Sequence, residues 1–77
     1  MHMNVLIQEK VGEYIFEQIK KDNPTTDIDG VLIDHYIRIP FFKEFEIIYS
    51  TFKNRKRNND YQTFKLTFKQ FESLIKK

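Results

Sequence analysis

Four cations fall within the five residues Lys53-Asn54-Arg55-Lys56-Arg57, the densest group in the chain with recognisable chemistry. Arginine offers a planar fork of donors that pairs bidentately with phosphate or carboxylate, and lysine a compact point charge. Asn58 and Asn59 follow directly and add neutral hydrogen-bonding groups. A loop of this kind fits along a phosphate backbone, where such contacts position a protein without reading sequence. Three or four of them give a log–log salt slope near about −3. Lys65 and Lys69 continue the basic stretch. The expected nucleic-acid contacts are therefore Lys53, Arg55, Lys56 and Arg57, with Lys65 and Lys69 in support. A solvated turn that keeps a small protein soluble and blunts a sheet edge accounts for the same charges, and so does an acidic protein partner.

Other groups offer less. His35 falls on the apolar face of an alternating segment, with no second histidine except His2, and reads as a satisfied core or edge residue rather than a ligand or base. Asp27, Asp29 and Gly30 resemble part of a calcium loop, but the twelfth position counted from Thr25 is Tyr36, not Glu. Those aspartates read as turn stabilisers. Glu44 and Glu46 share a strand face with nothing beside them to complete an acid–base pair. Tyr36, Tyr49 and Tyr61 have the rings to stack on bases, although core and cross-strand packing explains them more simply. Phe41-Phe42 follows Pro40 and is either a plug for the core or an exposed contact. Together with Phe16, on the flank of a helical stripe, it forms the candidate partner contact. The chain has no Gly-rich phosphate loop, His-Glu-X-X-His motif or nucleophile elbow. No catalytic residue, metal site or cofactor is expected, and the chain reads as non-enzymatic.

The elements that must position these residues come from one small domain of 77 residues. A hydrophobic fraction of 40% and an aromatic fraction of 16%, from eight Phe and four Tyr, exclude an intrinsically disordered chain. The lack of cysteine excludes a disulfide framework and a thiolate zinc site. No run of eighteen apolar residues is present, and the start shows no basic region followed by an apolar run. A cytoplasmic protein without a membrane partner is expected. Met1-His2-Met3 reads as a cloning remnant, which makes Met3 the natural start and leaves His2 without meaning, or else as a disordered start. The net charge of +2 is unevenly divided: residues 1–52 carry five basic and nine acidic residues, a balance of −4. Residues 53–77 carry eight basic residues against Asp60 and Glu72, a balance of +6. So short a chain lies near the limit for a self-sufficient core; large aromatic side chains are one remedy and association is another, so a homodimer stays open.

Asn4 to Asp22 follows a 3.6-residue period, with Ile7, Val11, Tyr14, Ile15 and Ile19 on one arc and Val5 and Phe16 flanking it. Asn4 is the expected N-cap, and Asn23-Pro24 ends the helix. A helix half-sunk in a sheet accounts for this wide arc, and a dimer contact is the alternative. Pro24 to Gly30 is a connection. Val31 to Ile39 alternates, with Val31, Ile33, His35, Ile37 and Ile39 on one face. Pro40 to Lys43 connects to Glu44–Lys53, where Phe45, Ile47, Tyr49 and Thr51 share a face. Asn54 to Asp60 reads as a hairpin loop and Tyr61 to Leu66 as the third strand. Thr67 with Gln70 then makes a capping box ahead of the stripe Phe68, Phe71, Leu74 and Ile75.

The expected fold is a single α+β domain of order α-β-β-β-α, a three-stranded antiparallel meander packed against two helices. That order is similar to double-stranded-RNA-binding domains, but the resemblance is confined to topology. Thr67-Phe68-Lys69-Gln70 stands where those domains have a basic helix start, and Pro40-Phe41-Phe42-Lys43 where they have a Gly-Pro-X-His-type probe. Small bacterial ribonuclease toxins also combine helices, an antiparallel sheet and a basic surface, but this chain does not assemble their Arg, Lys and His constellation. The expected function is a non-enzymatic protein that contacts nucleic-acid backbone through the basic hairpin loop. The alternative is a small regulator or inhibitor, of the kind encoded by phage-like mobile elements, that binds a host protein, an acidic or a nucleic-acid-binding one.

Overall fold

The computed structural model describes residues 4–76, and the expectations for Met1, His2 and Met3 lie outside them. Helix α1 spans Val5–Asp22 and starts where the sequence places its cap: Asn4 Oδ1 accepts the Ile7 N–H at 2.9 Å. Lys20 and Lys21 occupy its last turn, where cations complement the helix dipole. Val11 and Ile15 are fully buried, and Ile7, Tyr14 and Ile19 pack around them. The helix is half-sunk in the sheet. Gly12 makes the close approach, since a Cβ there would stand 3.4 Å from the Val31 carbonyl oxygen.

The sheet has four antiparallel strands: β1 (Gly30–Ile39), β2 (Glu44–Lys53), β3 (Lys56–Arg57) and β4 (Gln62–Thr67). Strand β2 is central, with β1 along one side and β4 and the short β3 along the other. Helix α2 (Phe68–Ile75) follows β4 at once. Its capping box is complete, with Gln70 N–H donating to Thr67 Oγ1 at 3.1 Å and Thr67 N–H to Gln70 Oε1 at 3.0 Å. Both helices cover the same sheet face. Phe45, Ile47, Tyr49 and Leu66 are buried there with Val11 and Ile15. Phe45 is the hub, its ring centroid 4.9 Å from Phe68, 4.7 Å from Phe71 and 5.6 Å from Tyr36. Each such side chain removed from water contributes about 1.5–3 kcal/mol.

Two features depart from simple alternation. The expected loop 54–60 contains a strand, because Asn54 and Arg55 both adopt left-handed backbone, at φ 52° and 66°. Two left-handed residues make a two-residue turn whose twist matches the flanking strands, so the chain folds back immediately and pairs Lys53 with Lys56. The second departure lies in β1, whose register with β2 shifts between Ile33 and His35. The extra residue turns every later side chain to the other face. Val31, Ile33 and then Tyr36 therefore pack on the core, while Ile37 is exposed. His35, expected on the apolar face, is exposed instead, with Nδ1 2.6 Å from Asp34 Oδ2.

Candidate nucleic-acid interface

The basic cluster forms the β2–β3 hairpin and its tip. The connection preceding β1 holds the tip through two acidic groups: Asp29 Oδ2 accepts the Asn54 N–H at 2.7 Å, and Asp27 forms an ion pair with Lys53. The aspartates do stabilise a turn, but it is the hairpin tip and not their own connection. The signal for this was two oppositely charged segments at the same end of adjacent strands. Asn58 closes the far side, its N–H donating to Thr51 O at 2.8 Å and its Oδ1 accepting from Asp60 N–H at 2.9 Å.

The four cations differ in what they already hold. Lys53 has its counterion. Arg57 donates from Nη2 to the Tyr61 hydroxyl at 3.0 Å, with its guanidinium 5.4 Å from the centre of that ring. Arg55 and Lys56 are exposed and form no ion pair among the described residues. Tyr61 is half-exposed and joins the tip rather than the core, which the sequence had favoured. Its four-residue spacing from Arg57, across a turn, was the available clue.

Lys65 and Lys69 do not join this group. Lys65 lies on the sheet face that the helices leave uncovered, opposite Glu46 in the ladder. Lys53 lies seven residue steps along β2 from Glu46, about 23 Å at ~3.3 Å per residue. Lys69 lies in the first turn of α2, at the far end of β2, where Phe68 N–H donates to Lys43 O at 2.9 Å.

The candidate partner contacts are likewise split. Pro40–Phe42 forms a 3-10 turn closed by Lys43 N–H on Pro40 O at 3.1 Å, with Lys43 left-handed at φ 53°. This turn carries Phe41 and Phe42 outward, so neither plugs the core. Phe41 is 87% exposed and Phe42 65%, with their rings edge to face at 4.9 Å. Beside them Arg38, Phe45, Phe68, Phe71, Glu72 and Ile75 line an open groove of about 370 Å³. Phe16 is at the hairpin end, half-buried in a smaller cleft with Gly12, Gly30 and Phe52. The Lys20 ammonium lies 5.6 Å from its ring centre.

Among the described residues no three His, Asp or Glu side chains converge as a metal site would need, and no helix is long and apolar enough to cross a membrane. The chain matches no protein-family model, no curated protein and no solved structure.

Proposed function

We propose that this protein binds nucleic-acid backbone through the β2–β3 hairpin tip, without catalysis. The supporting observation is the backbone of Arg55. At φ 66° a non-glycine residue bears a cost of about 1–2 kcal/mol. A two-residue turn of this handedness ordinarily takes glycine at its second position. An arginine held there sets a long cationic side chain at the apex of a turn that Asp29 caps through the Asn54 N–H. Arg55, Lys56 and Arg57 make the phosphate contacts, with Tyr61 presenting a ring beside them, and Lys53 is occupied by Asp27. Contacts of this type give affinity with little sequence preference.

Three phosphate contacts imply a salt slope near about −2.7 on duplex and about −2 on single strands. A fourfold rise in salt then weakens duplex binding about 40-fold and single-strand binding about 20-fold. The test is titration of labelled duplex and single-stranded DNA and RNA at low and moderate salt. The combined Arg55→Ala, Lys56→Ala, Arg57→Ala variant should lose binding, and Lys65→Ala with Lys69→Ala should bind as the parent does. Absence of binding at low salt, or equal weakening by the second pair, removes the proposal.

A second reading uses the same three cations for an acidic protein surface, as a regulator or inhibitor would. The pairing of Lys53 with Asp27 favours it, since the tip already accepts a carboxylate. A partner retained after nuclease treatment, and lost with the triple variant, distinguishes this reading from the first.

A further inference from the structure

The end of the molecule remote from the hairpin carries a knob and a hole of the same chemistry. Phe41 and Phe42 form the knob. The groove walled by Phe45, Phe68 and Phe71, with Ile75 on its rim, is the hole. Both are attached to one short stretch of chain: Arg38 lines the groove three residues before Phe41, and Lys43 hydrogen-bonds to the first residue of α2. The geometry points to a two-fold homodimer in which each chain places its Phe41-Phe42 pair in the groove of the other. In a two-fold interface the same patch serves both partners, so adjacent complementary features on one surface are what closure requires.

The areas fit a weak, reversible contact with this occupant. Taking a whole phenylalanine as about 200 Å², the two rings expose about 300 Å² per chain. Exchange buries both knobs, about 600 Å² over the two chains, and the smaller accessible wall of each groove, which sets the contact in the weak, transient class below about 1,200 Å². The groove volume of about 370 Å³ suits two aromatic side chains. The groove carries both signs of charge: Arg38, its guanidinium 5.2 Å from the Phe68 ring centre, and Glu72, paired with Lys76 at 3.5 Å. Across a two-fold axis, Arg38 of each chain can face Glu72 of the other. The dimer leaves both hairpin tips free at the ends away from the interface. This inference stands independently of the nucleic-acid reading and is tested without nucleic acid.

Sedimentation velocity on the full chain from about 5 µM to about 1 mM covers the range expected of a weak, transient contact. A reversible monomer–dimer equilibrium is expected. Phe41→Ser with Phe42→Ser should weaken it at least tenfold without altering circular dichroism or the unfolding midpoint at dilute, monomeric concentration. Ile75→Lys, at an exposed rim position, should weaken it similarly by closing the hole. Mixing these two variants should recover part of the association, because one supplies an intact groove and the other an intact knob. A strictly monomeric parent, or a Phe41→Ser, Phe42→Ser variant that associates like the parent, overturns the inference. Unchanged association of Ile75→Lys does so too, since it would mean that the rings stack on each other without entering the groove.

Discussion

Left-handed residues turn the chain at both ends of β2, and the two turns end in different surfaces. At one end Lys43 closes the Pro40–Phe42 turn and aims two phenylalanines at solvent. At the other, Asn54 and Arg55 close a hairpin that presents cations, held by Asp27 and Asp29. Neither end contributes to the core, which lies between them along Phe45, Ile47 and Tyr49. Stability is concentrated in the middle of β2, and the residues least explained by stability stand at its ends. In a chain this short, exposed aromatics and a strained arginine are costs that folding does not require, which is the reason to look for partners there.

The sharpest test of that division compares two rings four residues apart. Phe45 is buried against Tyr36, Phe68 and Phe71, and its replacement by alanine should cost about 3–5 kcal/mol in urea unfolding. Phe41→Ala, measured at dilute concentration, should stay within about 0.5 kcal/mol of the parent. Similar losses for the two would show that the Pro-Phe-Phe turn belongs to the core after all.

The middle of β2 also sets how the fold responds to alkali. Burial raises the Tyr49 hydroxyl above its ordinary value of 10.0. A phenol with a raised value holds its proton in the folded state while the unfolded chain has begun to release it. Its contribution is therefore complete below pH 10 and is lost as pH rises through the folded value. Stability should fall above about pH 10, and Tyr49→Phe should flatten that fall in unfolding midpoints measured from pH 8 to 12. A parent and variant with parallel profiles would place the alkaline loss elsewhere.

Local rules made some of this legible in the sequence and tertiary pairing concealed the rest. Asn4 and the Thr67–Gln70 box mark helix starts because capping is a contact within three residues, and both caps form as read. The alternation of Phe45, Ile47 and Tyr49 survives because a central strand has neighbours on both sides to hold its phase. Strand β1 lies at an edge and slips by one residue at Asp34, which no composition rule announces, and His35 changes face with it. The basic run was legible as charge, but its division was not. Lys65 stands opposite Glu46 and Lys53 beside Asp27 only because separate segments meet.

The wall of the aromatic groove depends on α2, and α2 depends on its cap. Thr67→Ala removes the oxygen that accepts the Gln70 N–H and should cost about 1 kcal/mol. Since Phe68 and Phe71 belong to that helix, the loss should appear as fraying of α2 in amide exchange before any change at the hairpin. Simultaneous loss of protection at both ends would mean that the ends are not separable.

The smallest expected change bears most directly on the hairpin. Arg55→Gly relaxes the left-handed position, worth about 1–2 kcal/mol, against about 0.5–1 kcal/mol of added freedom in the unfolded chain. The net gain is about 0–1.5 kcal/mol, centred on a rise of a few degrees in unfolding midpoint for a domain this size. The same change removes one of three cations, so the duplex salt slope should fall from about −2.7 to about −1.8 with weaker binding at every salt concentration. Arg55→Lys keeps the charge and the strained backbone, and should bind nearly as the parent does without the stability gain. A glycine variant that is both more stable and equally tight would show that Arg55 does not contact phosphate. One that is less stable would show that the arginine side chain supports the turn more than its backbone strains it, and the case for a functional apex would lose its footing.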